Sequence, residues 1–222
     1  QTVAIIGGTG SGKSTLINLI PRFYDATQGE VKVDGVDVRN TTLQAIHQAV
    51  SFVPQKANLF EGTLRANMQF GDAKATDEQI WHALDIAQVS DFVKELDGQL
   101  DAHVEQGGAN FSGGQRQRLA IARALVKQAS IYVFDDSFSA LDFKTDAKLR
   151  AALKADQKIQ KRIVVIVGQR VSTIADADLI LVLDKGKVVG QGTHQELLAT
   201  NKVYQSIVNS QIRESKEGDQ NA

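Results

Sequence analysis

Residues 7–15 read Gly-Gly-Thr-Gly-Ser-Gly-Lys-Ser-Thr, which fits the pattern G-x-x-x-x-G-K-[ST] at Gly7, Gly12, Lys13 and Ser14. The apolar run Val3-Ala4-Ile5-Ile6 before them has the composition of a buried strand, and Leu16 to Ile20 after them reads as the first turns of a helix. This strand-loop-helix context is what the pattern needs to act as a phosphate cradle. Gly7, Gly8, Gly10 and Gly12 let the backbone turn tightly, so that the N–H groups around Thr9, Ser11 and Thr15 point inward at anionic oxygens, aided by the positive end of the helix. Lys13 is predicted to reach the outer phosphates and the Ser14 hydroxyl to ligate Mg²⁺. An ordinary Gly-rich turn leaves Lys13 without a purpose.

The chain has 222 residues, enough for one large domain or a main domain with a small subdomain. Its net charge is −1, so no electrostatic footprint for nucleic acid or an anionic membrane surface is present. Cysteine is absent, which excludes disulfides and thiolate metal sites and suits a reducing compartment. His47, His82, His103 and His194 lack metal-ligand spacing. No stretch approaches the roughly eighteen apolar residues that span a bilayer, and no secretory signal pattern opens the chain. Gln1 and Thr2 lead straight into the first strand, which points to a piece of a longer protein.

Further along, residues 30–33 and 36–38 alternate around Asp34-Gly35, a dipeptide suited to a type I′ hairpin turn. Val50 to Val53 reads as a strand closed by Pro54, with Gln55 just beyond it. From Thr63 to Leu96 the period becomes helical, with Ile80, Ala83, Leu84 and Ala87 on one face; Phe70 and Trp81 are expected in that part's packing. Residues 131–134 and 163–167 are β-branched and aromatic runs of the kind found in parallel sheets, joined by a helix over about 142–158. Residues 179–183 and 188–189 predict one more hairpin, turned at Lys185-Gly186. A C-terminal helical stretch follows, and residues 210–222 are polar enough to predict disorder.

Two further places carry chemistry. Asp135 ends an apolar strand, where a carboxylate can hold Mg²⁺ through its water shell, although many strands end in Asp only because a turn follows. Ser112-Gly113-Gly114-Gln115 puts a hydroxyl and two glycines at a helix N-terminus, which is either a second anion-binding device or an ordinary Ser cap. Two such devices about a hundred residues apart fit two nucleotides shared by a head-to-tail pair of domains.

With these residues in place, the chain resembles the nucleotide-binding domain of an exporter-type ATP-binding-cassette (ABC) transporter from Gln1 to about Val208. Gly7 to Thr15 match the Walker A loop, Gln55 the Q-loop, FSGGQRQR the signature and IYVFDD the Walker B strand. SALD, ending in Asp142, matches the D-loop, VGQRVSTI the switch loop, and LFEGTLRANMQFG is similar to exporters. The resemblance implies an α/β fold of the P-loop NTPase class, with a mostly parallel core sheet, an antiparallel β subdomain and an inserted helical subdomain. It places the core at about 1–58 and 120–209 and the helices at about 59–119, with N-terminal strands missing. It implies ATP and Mg²⁺ as ligands, the metal held through Ser14, Gln55 and Asp135. The implied partners are a second nucleotide-binding domain, which sandwiches ATP between one Walker A and the other's Ser112 to Gln115, and a transmembrane domain. The cytoplasmic face of a membrane is the implied location. A soluble cassette protein of repair or translation, or a regulatory nucleotide-binding module, is the alternative.

The departures from the family matter as much. Asp136 stands where the family has Glu, so its carboxylate lies about 1.5 Å further back from an attacking water. Gln169 stands where the family has His, and it can donate a hydrogen bond but carries no proton or charge. Gln106 stands beside Glu105 where exporters carry Glu, and the aromatic residue that stacks on adenine in the family lies upstream of Gln1. An altered catalytic half beside an intact signature predicts slow turnover at this chain's own site and a heterodimeric partner carrying the Glu and His.

Overall fold

Six strands form one sheet because their residues alternate between two apolar faces, each covered by helices. The computed structural model describes residues 1–220. β1 (Thr2–Gly7) leads into α1 (Lys13–Asn18), then the hairpin β2 (Lys32–Val33) and β3 (Val36–Asp37), α2 (Leu43–Ala49) and β4 (Val50–Val53). A mostly helical stretch follows: β5 (Gly62–Thr63), α3 (Leu64–Gln69), α4 (Asp77–Ile86), α5 (Ser90–Glu95) and β6 (His103–Val104). The chain returns to the sheet through α6 (Gly113–Val126), β7 (Ile131–Asp135), α7 (Phe143–Ala155), β8 (Ile163–Val167) and α8 (Val171–Ile174). β9 (Leu179–Asp184), β10 (Lys187–Gly192), α9 (His194–Thr200) and α10 (Lys202–Gln220) complete it.

The strand order is β10-β9-β1-β8-β7-β4, antiparallel only between β10 and β9. Parallel pairing requires crossovers, and α7 is the one between β7 and β8. Ala4, Ile6, Tyr132, Phe134, Val164 and Ile166 face one apolar cluster, while Ile5, Ile131, Val133, Val165 and Val167 face the other. The registers Ile5↔Val167, Val167↔Asp135 and Phe134↔Val53 align the carboxyl ends of β1, β8, β7 and β4 along one edge. That edge is where open parallel sheets put their ligand crevice. Here it gathers the loop after β1, Gln169, Asp135 with Asp136, and Gln55.

Two hairpin turns form where expected, with positive φ at Asp34 (51°) and Gly35 (80°) and again at Lys185 (47°) and Gly186 (76°). The helical stretch from Thr63 breaks into three helices, and the antiparallel pair β5–β6 ties its two ends together. Phe70 is 65% exposed, packed against Phe60 with ring centroids 4.5 Å apart and the rings tilted by 45°, instead of buried in the helical packing. Trp81 is partly buried against the core as expected. α10 continues through Gln220, past Ser210 where the polar composition predicts disorder; residues 221–222 lie outside the described residues.

The turn before α3 hangs on one buried amide. Asn67 Oδ1 accepts from Phe60 N–H at 2.8 Å, and Nδ2 donates to Phe60 O at 2.8 Å and Thr63 O at 3.0 Å. Asn67→Ala leaves these backbone groups unpaired and is expected to cost about 2 kcal/mol in denaturant unfolding. An unchanged midpoint would mean that water replaces the amide.

Candidate nucleotide site

The loop after β1 is shaped by positions that only glycine fills easily. Gly10 and Gly12 have φ of 76° and 95°, and a Cβ on Gly7 would stand 2.3 Å from the Leu183 carbonyl oxygen. The Ser11 N–H donates to Gly8 O at 3.2 Å, and Gly186 N–H donates to Ser11 O at 3.0 Å, closing the loop against the β9–β10 turn. Lys13 Nζ donates to Gly7 O and Gly8 O, both at 2.9 Å. Burial lowers the Lys13 pKa, opposed by the nearby carboxylates of Asp136 and Asp135. Gly8, Thr9, Gly10, Ser14 and Thr15 are exposed, and the space beside Gly8 and Gly10 is open. Among the described residues the buried Ser11 hydroxyl has no hydrogen-bond partner. A lysine pointed at loop carbonyls, an open cradle and exposed backbone N–H groups fit a polyphosphate.

β7 delivers two adjacent carboxylates to the same edge. Asp135 and Asp136 are 8% and 7% exposed. Asp135 Oδ1 accepts from Ser14 Oγ at 3.2 Å, which joins the two oxygen donors expected to hold Mg²⁺. Asp136 Oδ2 accepts from Gln169 Nε2 at 2.7 Å and from Gln55 Nε2 at 3.2 Å. Gln55 thus meets Asp136, and among the predicted metal ligands it is Ser14 and Asp135 that touch. Burial raises both carboxyl pKa values; the Ser14 hydrogen bond opposes this at Asp135, and the Gln169 hydrogen bond and Lys13 oppose it at Asp136. Asp136 has φ of 47°, a left-handed conformation that Asp tolerates better than most residues. Ser139 Oγ donates to its carbonyl at 2.7 Å and so fixes that turn.

The second device stands apart from the first. Ser112 caps α6 in a reciprocal box: its Oγ accepts from Gln115 N–H at 3.2 Å, and Gln115 Oε1 accepts from Ser112 N–H at 2.8 Å. Ser112 and Gly113 are exposed, and Gly114 lies beside the Ala140 carbonyl. Among the described residues no hydrogen bond joins 112–115 to 7–15. Asp142 caps α7 through the Thr145 N–H at 2.9 Å. Arg170, which carries no motif signal of its own, links the loop after β8 to the loop after β7. Its guanidinium donates to Leu141 O at 3.3 Å and Ser139 O at 3.2 Å and lies 4.8 Å from the Phe143 ring centre. Below it, buried Asp146 accepts from Arg150 at 2.9 Å and from Thr173 Oγ1 at 2.9 Å, tying α7 to α8. Among the described residues no group of three or more His, Cys, Asp and Glu is arranged to hold a metal.

Comparison with known proteins agrees with this geometry. An uncharacterised ABC transporter ATP-binding protein of Mycobacterium bovis is 50% identical over 213 residues, covering 95% of this chain and 36% of the relative. An ATP-dependent lipid A-core flippase of Pseudomonas fluorescens is 46% identical over 205 residues, covering 92% of this chain and 34% of the flippase. The chain therefore spans about a third of the length of the curated relatives it matches. A solved structure of a bacterial Atm1-family ABC exporter with ATP bound superposes with a TM-score of 0.90 at 38% identity, covering 95% of this chain and 37% of the exporter. The ABC transporter family model matches residues 1–139, more than half of the sequence, and the chain belongs to the ABC transporter family.

Proposed function

We propose that this chain is the ATP-binding part of an exporter in which its own site holds ATP and turns it over slowly, while Ser112 to Gln115 complete a faster site on a different subunit. One observation carries the reading. The single Asp136 oxygen that accepts from both Gln169 and Gln55 belongs to a side chain one methylene shorter than Glu. Two amide donors stabilise the ionised carboxylate and occupy the lone pairs of Oδ2, which leaves Oδ1 alone to take a water proton. A positioned general base contributes about 10²–10⁴-fold to rate, so misplacing it leaves a site that binds more than it hydrolyses.

The residues that hold ATP are Lys13 and the backbone of 7–15, with Ser14 and Asp135 for Mg²⁺. Mg²⁺ supplies positive charge opposite the phosphate oxygens. The exposed Ser112 and Gly113 are available to a facing domain, and the signature residues keep their capping geometry. A homodimer would place Asp136 in both sites, which favours a partner with Glu and His at the corresponding positions. Among the described residues no helix is long and apolar enough to cross a membrane. A transmembrane domain is the proposed partner that this domain drives, with this domain on the cytoplasmic face of the membrane. The lipid A-core flippases among the relatives favour an amphipathic substrate.

The test is single-turnover hydrolysis in the intact transporter with the partner's Walker B Glu changed to Gln. ATP is expected to stay bound at this chain's site for many wild-type turnovers. Phosphate release near the wild-type rate would make Asp136 a working base and sink the asymmetric reading.

A further inference from the structure

The loop that carries Gln169 is held from behind by the C-terminal helix. Gln211, in α10, donates from Nε2 to the Gln169 carbonyl at 2.6 Å, and its Oε1 accepts from the Val171 N–H at 2.8 Å. These bonds flank Arg170, whose φ of −90° and ψ of 128° are extended. A donor to the preceding carbonyl and an acceptor from the following N–H is the pairing that a parallel neighbouring strand offers to one residue. A single side-chain amide here does the work of a strand. It fixes the peptide planes on both sides of Arg170, and with them the directions of two side chains. Arg170 turns to the Ser139 and Leu141 carbonyls, and Gln169 turns to Asp136.

α10 is anchored well enough to hold that position. Tyr204 is fully buried, with its hydroxyl 2.7 Å from His194 Nδ1, and Ile207 and Val208 pack against the core. Tyr204, Ile207, Val208 and Gln211 follow the i, i+3, i+4, i+7 spacing of one helix face, so Gln211 is the polar end of an apolar stripe.

We infer that Gln211 is a positioning residue of the nucleotide site: through the backbone of 169–171 it sets the Gln169 carboxamide, and so tunes how the site tells ATP from ADP. The inference rests on the reading of residues 7–15 as an ATP cradle and adds a part outside every motif. Gln211 acts through Gln169 and touches no nucleotide.

The test compares ATP and ADP affinities by calorimetry in the full-length transporter, with any second cassette's phosphate-loop lysine changed to Ala so that only this site is read. Gln211→Ala is expected to weaken ATP about tenfold, the worth of roughly one hydrogen bond, with ADP unchanged. Gln211→Met keeps the length and burial while losing both hydrogen bonds, and is expected to match Gln211→Ala. In a Gln169→Ala background, Gln211→Met is expected to change neither affinity further. An equal loss in both backgrounds, or a parallel loss of ATP and ADP, would show a general effect on the fold and overturn the inference, as would an unchanged ATP-to-ADP ratio. Wild-type protein that binds no ATP would instead overturn the ATP cradle itself and the inference with it.

Discussion

Asp136→Glu is expected to raise hydrolysis at this chain's own site by about 10²-fold or more, at unchanged ATP affinity. The added methylene moves the carboxylate about 1.5 Å outward from β7 toward the space over the phosphate loop. It also draws the acceptor away from Gln169 and Gln55, which now bond it at 2.7 and 3.2 Å. The opposing cost is local: Asp136 has φ of 47°, where Glu is less tolerated than Asp, a penalty of about 1 kcal/mol against a barrier reduction of about 3 kcal/mol. The Asp136 backbone is held there by the Val167 carbonyl, to which its N–H donates at 3.0 Å, so the turn itself should persist. The measurement is single-turnover phosphate release with the partner's site inactivated. Asp136→Asn run beside it is expected to lower the rate by less than about threefold, because a carboxylate that is not the base has little to lose. An unchanged rate in Asp136→Glu, with a large loss in Asp136→Asn, would mean that Asp136 already serves as the base.

What the sequence made legible was whatever depends on neighbours along the chain. The loop at 7–15 was readable because Gly10 and Gly12 take positive φ and its strand and helix adjoin it. Asp34-Gly35 and Lys185-Gly186 were readable because a two-residue turn between strands selects such dipeptides. Strand order was not, since nothing local in residues 2–7 states that they lie between 163–167 and 179–184. The pair β5–β6 joins Gly62–Thr63 to His103–Val104 through strands too short to carry a period. Phe70 misled because apolar character does not say which face a side chain takes; at the C-cap of α3 it turns outward onto Phe60. The tail misled in the opposite sense. Polar composition from Ser210 onward predicts disorder, although α10 continues there and Gln211 finds backbone partners. The altered pair Asp136 and Gln169 was legible only by resemblance, and their direct bond, shared with Gln55, needed the sheet edge to bring β4, β7 and β8 together.

Lys13→Ala is expected to weaken ATP binding by about 10²–10³-fold while the protein stays folded, and this pair of outcomes follows from where the ammonium sits. Its two bonds go to the Gly7 and Gly8 carbonyls, at the turn through which the chain itself joins β1 to α1, so its removal breaks no link between distant parts of the chain. Burial disfavours the charge, and removing it relieves that penalty. Asp135 and Asp136 lose a nearby cation, but Ser14, Gln55 and Gln169 remain as donors to them. Stability should therefore change by less than about 1 kcal/mol in thermal unfolding. Binding has no such compensation. Charge-assisted hydrogen bonds are worth about 1.5–3 kcal/mol each, and losing two of them at the lower end of that range amounts to roughly 3–4 kcal/mol, which is that fold-change in Kd. Calorimetric titration with both nucleotides separates this loss from the effect of Gln211: a lysine that grips the polyphosphate affects ADP as well as ATP, whereas a displaced Gln169 affects ATP alone. A loss of less than about tenfold for ATP would mean that the backbone of 7–15 holds the phosphates without Lys13.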